Sequence, residues 1–150
     1  MPSGKVHAEV TLAAASLVYV WGMSSGETLT LAAAAAAGTA AGLIITPDLD
    51  VVGTRADHLI KRNGFIPWIV WTIFWRPYAA LLPHRHYLSH GIILGTFIRL
   101  IYIAVPLWLL GILPEFTPGL ARAVIGLTIA DNLHIGLDFI ISGVNKYDPE

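Results

Sequence analysis

Residues 28–50 read TLTLAAAAAAGTAAGLIITPDLD. Residues 28–46 carry no charge, and Pro47, which lacks an amide hydrogen and clashes with the preceding turn, stops any helix there. Two carboxylates follow at once, Asp48 and Asp50. A helix needs about 20 apolar residues to cross the hydrocarbon layer of a membrane. The stretch therefore reads as a span that ends on a pair of aspartates at a polar surface.

The rest of the 150-residue chain has the same character, with 55% hydrophobic and 13% charged residues and a mean hydropathy of +0.67. Soluble domains carry roughly a quarter charged residues. Further apolar runs cover residues 9–23, 91–113 and 119–142. Residues 65–82 are apolar too, but Arg76 and Pro77 interrupt them and Trp68, Trp71, Trp75 and Tyr78 crowd them. Such aromatics favour the headgroup level, so this run is read as an interfacial or re-entrant helix. The expected fold is all-α: an integral membrane bundle of about four transmembrane helices plus that one, forming a single membrane-embedded domain over residues 1–150.

Loop charges orient the bundle. With four spans, Lys5, Arg55, Lys61, Arg62, Arg76, Arg85 and Lys146 fall on one side, and Glu27, Glu115 and Arg122 on the other. The positive-inside tendency then puts both termini and the 48–90 connection in the cytoplasm, giving a multi-pass protein of the inner membrane. Lys5 followed by an apolar run imitates a signal peptide, but a second span follows immediately, and no cleavage is expected. Net charge is −1, so no basic field exists to hold nucleic acid. The expected partners are membrane lipid and a metal ion. Gly38 and Gly42, and again Gly91 and Gly95, stand at the spacing that lets helix backbones approach closely.

Cysteine is absent, which leaves histidine and carboxylate as the strong metal donors. They cluster: His7; Asp48 and Asp50; His84, His86 and His90 in HRHYLSH; and Asp131, His134 and Asp138 in the last apolar run. In the four-span topology all of them come to one membrane face. At about 100° per residue, positions 131, 134 and 138 share a helical arc of about 60°. Carboxylates that deep need a cation, a proton or a metal, and Arg99 is the expected ion partner of Asp131. Ser89 can cap a helix starting near His90 and hold that imidazole at the helix N-terminus. His58, among Arg55, Lys61 and Arg62, reads as a solvated loop residue, and the role of His86 stays open.

These motifs resemble a family of bacterial metal-binding membrane proteins. The family is marked by an N-terminal Ser-Gly-x-x-His, a Pro-Asp-Leu-Asp element, and a Trp-x-x-Tyr followed by Pro-His-Arg and Ser-His. Here they are Ser3 to His7, Pro47 to Asp50, Trp75 to Tyr78, Pro83-His84-Arg85 and Ser89-His90. The chain is also similar to the broader inner-membrane metal-dependent hydrolases. The resemblance implies metal binding and, for the wider group, hydrolysis.

The leading expectation is therefore a metal-dependent hydrolase at the cytoplasmic membrane face, acting on a phosphoester. Its ligands would be drawn from His7, Asp48, Asp50, His84, His90, Asp131, His134 and Asp138, with Asp50 as ligand or general base and Arg85 as a phosphate clamp. Mixed nitrogen and oxygen donors suit zinc first, then manganese or iron. A non-catalytic metal protein is the alternative. An ion transporter ranks last, because the outer halves of the spans are almost purely apolar.

Overall fold

The computed structural model describes residues 4–51, 53–82 and 87–145; the described side chains exclude those of Asp50, Tyr87 and residues 142–145. The elements are α1 (Gly4–Ser24), α2 (Leu29–Ala41), a 3₁₀ turn (Pro47–Asp50), α3 (Arg55–Arg62), α4 (Phe65–Leu81), α5 (Tyr87–His90), α6 (Leu94–Leu109) and α7 (Pro118–Asn145). Among the described residues there is no strand, so the all-α expectation holds. The chain divides into two compact units, one of Met1–Leu43 with Pro118–Glu150 and one of Ile44–Thr117.

In the first unit α1 and α2 form an antiparallel hairpin, closed by a short glycine-dependent connection. Glu27 N–H donates to Gly22 O and Gly26 N–H to Met23 O, with Gly26 at φ +80°. That is a Schellman motif, which needs a left-handed residue that glycine alone adopts without strain. Thr28 then caps α2, its hydroxyl accepting from the Leu31 amide.

Helix α7 packs on both members of this hairpin. Arg122 meets Glu27 at 2.5 Å near the start of α2, while Asp138 meets His7 near the start of α1. Thus α7 runs parallel to α2 and antiparallel to α1.

The seam between α2 and α7 is built from small residues. A Cβ at Gly38 would fall on the backbone carbonyl of Ala123, one at Gly126 on the carbonyl of Ala35, and one at Gly42 would stand 2.5 Å from the Ala130 Cβ. Backbone meets backbone there, as the Gly38/Gly42 spacing predicts. The large apolar side chains point the other way. Helix α1 buries Ala8, Thr11, Ala14, Ala15 and Gly22 but exposes Leu12, Leu17, Val20 and Trp21.

The second unit is held by Leu49, Ala56, Trp75, Tyr78 and Leu82, with Tyr102 of α6 stacked on Trp75 at 5.4 Å. The Tyr102 hydroxyl donates to the Phe74 carbonyl, tying α6 to α4. Helix α3 opens on a capping box: Thr54 Oγ1 accepts from the Asp57 amide, and Asp57 Oδ2 accepts from the Thr54 amide. Asp57 Oδ1 also accepts from Trp71 Nε1 at 2.9 Å, which staples α3 to α4.

Helix extents depart from expectation in an informative way. Helices α1 (Gly4–Ser24) and α7 (over Pro118–Ile141) are long and apolar enough to cross a membrane. Helix α1 begins before residue 9, so His7 lies on the helix and not ahead of it. Helices α2 and α6 are shorter than the runs 28–46 and 91–113 that contain them. Helix α2 tightens into turns from Gly42, where the Gly42 and Leu43 amides donate to Thr39 and Ala40, and Pro47 bars any return to helix beyond them. Helix α6 ends on a second Schellman motif, with Gly111 at φ +69° and Ile112 N–H donating to Leu107 O. Residues 65–82, expected to be one interfacial or re-entrant helix, are helical as α4 almost to the residue.

Candidate metal centre

Within the first unit His7, His134 and Asp138 converge. Each offers one donor atom, and all three atoms lie within 4.8 Å of one another. His7 Nε2 stands 3.1 Å from Asp138 Oδ1, and His134 Nε2 stands 3.7 Å from Asp138 Oδ2. Two donors sharing a tetrahedral ion with bonds of about 2.1 Å are about 3.4 Å apart, so these spacings bracket what one ion requires. His7 comes from the first turns of α1, and its partners are one turn apart on α7. The antiparallel packing of α1 on α7 therefore makes the cluster.

The surroundings suit a cation. All three side chains are at most 13% exposed, and a desolvated carboxylate requires compensating positive charge or hydrogen bonds. The His7 and His134 rings stack at 3.9 Å with an 18° tilt. The neutral imidazole is the form that ligates a metal. With Nε2 protonated, His7 donates a hydrogen bond to Asp138; with Nε2 deprotonated, the same lone pair and the carboxylate are two ligand positions. The Thr11 hydroxyl donates to the His7 carbonyl and braces the turn that carries the imidazole.

In the second unit Asp48 and His90 form a pair. Asp48 Oδ1 lies 3.5 Å from His90 Nε2, again the spacing of two donors on one ion and too long for a strong hydrogen bond. Ser89 Oγ sits 3.0 Å from His90 Nδ1. A proton on Nδ1 that is donated to this hydroxyl leaves the Nε2 lone pair directed toward Asp48, the usual way an outer partner fixes a ligating imidazole. Ser89 is held in turn by Arg99, whose Nη1 donates to the Ser89 carbonyl at 2.8 Å. A Cβ at Gly95 would collide with that same carbonyl, so Gly95 opens the space in which the contact forms. Thr46 Oγ1 accepts from the Asp48 amide and sets the entry to the 3₁₀ turn.

Several expectations are revised here. His90 ends the short helix α5 and does not begin a helix; Ser89 engages the imidazole ring, and α6 starts at Leu94. Gly95 makes a close backbone approach, as its spacing predicts, and its neighbour is Ser89 on the adjacent short helix α5. His58 is exposed, as expected, but lies on α3 and not in a loop. Asp131 is 1% exposed and, among the described residues, is not in the donor cluster formed by its neighbours on α7. His84, Arg85 and His86 lie outside the described residues, as does Ser3; Asp50 closes the 3₁₀ turn, and its side chain is not among those described. Thr46, Thr11 and the contact of Arg99 with Ser89 escaped the sequence reading. Arg99 alone had a signal, as a lone cation inside an apolar run.

The fold is all-α, and its histidine and aspartate groups are of a kind that could hold a metal ion. The chain belongs to the family described as uncharacterized metal-binding protein (DUF2227), whose model matches residues 2–123. His7, Asp48 and His90 fall inside that span, whereas His134 and Asp138 lie beyond it. Comparisons with curated proteins and with solved structures return no match. Trp75 and Tyr78, the aromatic pair of the Trp-x-x-Tyr motif, are buried in the core of the second unit with ring centroids 5.4 Å apart, which is a packing role.

Proposed function

We propose that the protein is an integral membrane metalloprotein that holds a divalent ion, zinc in the first instance, and hydrolyses a phosphoester. The observation that carries this is the convergence of His7, His134 and Asp138 from opposite ends of the chain. Two histidines and one carboxylate make three protein ligands, the number that leaves a tetrahedral position open, as in catalytic zinc sites. A metal ion there supplies Lewis acidity and lowers the pKa of water. Of the chain's own residues, Asp48 and His90 provide a further ligand pair, Asp50 a ligand or general base, and Arg85 a clamp for phosphate; His84 and Asp131 remain reserve donors.

The membrane assignment rests on the lengths of α1 and α7 and on their inverted amphipathicity, with small residues inside and Leu17, Val20, Trp21, Phe139 and Ile140 outside. The four-span scheme with cytoplasmic termini rests on the one-sided lysines and arginines. Helix α2 reaches only about 20 Å at 1.5 Å per residue, so its crossing would include the apolar residues 42–46.

Metal analysis of detergent-purified protein is the first test. Metal should be retained through purification, and His134→Ala and Asp138→Asn should each lower affinity at least tenfold. Turnover on a phosphoester panel should require the metal, and Asp50→Asn should reduce it more than it reduces metal content. A fully loaded protein that cleaves nothing would leave a non-catalytic metal protein, and no bound metal in any preparation would refute both.

A further inference from the structure

Away from the donor sets, α3 and α4 enclose a cleft of about 330 Å³ in the second unit. That lies at the lower end of the range of about 300–1,000 Å³ typical of small-molecule sites. Its walls are apolar and aromatic, with Leu49, Val51, Trp68, Trp75 and Ala79, while its polar groups include Lys61, Arg76, Asp57 and the His58 imidazole.

The charge balance is not what that inventory suggests. Asp57 is already engaged: Oδ2 accepts from the Gly53 and Thr54 amides at 2.6 and 3.0 Å, and Oδ1 from Trp71 Nε1. Lys61 lies over the Trp68 ring at 5.0 Å, and among the described residues neither Lys61 nor Arg76 is ion-paired. Thr72 spends its hydroxyl on the Trp68 carbonyl. Two cations without an ion partner among the described residues and a histidine thus line a cleft with an aromatic wall, and its one carboxylate is consumed by backbone and indole donors. Trp75, buried in that wall, also has an indole N–H with no acceptor among the described residues.

We infer that the α3–α4 cleft binds a phosphate monoester group carried on an apolar body. A guanidinium and an ammonium together match a dianionic oxyanion, the guanidinium through paired N–H donors and the ammonium as a point charge. A bare inorganic anion would use only the cations. The tryptophans and aliphatic side chains give the carrier's carbon chain a surface, and cation–π contact keeps Lys61 beside the aromatic wall. The site is independent of the proposed hydrolysis and of any metal.

The test is calorimetric titration of the full chain in neutral detergent, with metal removed by chelation so that the donor sets cannot bind the anion. The probes are dihexanoyl phosphatidic acid, glycerol 3-phosphate and dihexanoyl phosphatidylcholine. Phosphatidic acid should bind saturably, with affinity at least tenfold weaker in Lys61→Gln and in Arg76→Gln, within about threefold in Lys61→Arg, and unchanged in Arg62→Gln, an exposed cation outside the cleft. Circular dichroism confirms that each variant is folded. Glycerol 3-phosphate, which carries no apolar body, should bind at least tenfold more weakly than the acylated probe, and equally tight binding would overturn the role of the apolar wall. The inference is overturned if neither phosphate monoester binds saturably, if phosphatidylcholine binds as well, or if Arg62→Gln weakens binding as much as Arg76→Gln.

Discussion

The same substitution at two glycines should move stability in opposite directions. At Gly38 a Cβ would land on the carbonyl, carbonyl carbon and Cα of Ala123, whereas at Gly136, in the middle of α7, nothing lies within 4 Å. In a helix interior Gly→Ala is favourable by roughly 0.5–1 kcal/mol, because the glycine loses more conformational freedom on folding. Gly136→Ala should realise that gain. Gly38→Ala incurs in addition an overpacking cost of about 1–3 kcal/mol. The upper part of that range applies, because the obstacle is backbone and has no rotamer to change. The net expectation is a loss of about 1–2 kcal/mol for Gly38→Ala, against a gain of about 0.5–1 kcal/mol for Gly136→Ala.

The two should also separate in function. Helix α2 sets where α7 lies against α1, and the His7, His134 and Asp138 cluster depends on that placement. Moving α7 outward by even a few tenths of an ångström at Gly38 should weaken metal binding, although the residue is no ligand. Gly136→Ala, between the two α7 ligands but facing open space, should leave metal affinity within about twofold. Denaturant titration of the detergent-solubilised protein, followed by circular dichroism, reads the first effect; metal competition with a chromogenic chelator reads the second. Equal stability of Gly38→Ala and the parent protein would refute the close-packed seam. Unequal stability with identical metal affinity would refute the coupling between seam and donor cluster.

Two further outcomes test the second unit. Asp57→Ala removes a helix cap and leaves the Trp71 indole without its acceptor, so a loss of about 2–3 kcal/mol is expected by denaturation, with α3 exchanging amide hydrogens faster. Ile93 sits at φ +65°, ψ −51°, with the Leu94 amide donating to the Ile92 carbonyl at 2.7 Å, which makes residues 92–94 a γ-turn in the strained, left-handed sense with a β-branched residue at its centre. Ile93→Gly relieves about 1–2 kcal/mol of backbone strain and gives back part of it as unfolded-state entropy, so it should be neutral to stabilising by about 1 kcal/mol. A loss of more than about 1 kcal/mol would show that the Ile93 side chain contributes more than its backbone costs.

Much of the fold is legible locally. Apolar runs bounded by glycine, proline and threonine mark α1, α2, α4 and α7, because capping and proline termination act within a few residues. Helical periodicity alone places His134 and Asp138 on one face, one turn apart. The Gly38 and Gly42 spacing identifies a close-packing surface, since only a missing side chain permits backbone contact. Composition likewise names histidine and aspartate as the metal donors, because the chain has no cysteine.

What touches what was decided elsewhere. Nothing near His7 in the sequence announces Asp138, 131 positions away; their 3.1 Å approach follows from α7 packing antiparallel to α1, which α2 sets through its contacts with Ala123 and Ala130. Ser89 reads as a helix cap by local rule, yet it serves the His90 ring, because Arg99, ten residues on, captures its carbonyl and Gly95 makes room for that contact. The cleft between α3 and α4 was invisible for the same reason. Lys61 and Arg76 read as loop charges until the fold consumes Asp57 in a cap and an indole bond and leaves the two cations lining one cleft with Trp68 and Trp75. Helix periods and caps are short-range properties and can be read along the chain. Partner choice depends on how helices cross, which is settled by the sum of many small packing contacts between segments far apart in sequence.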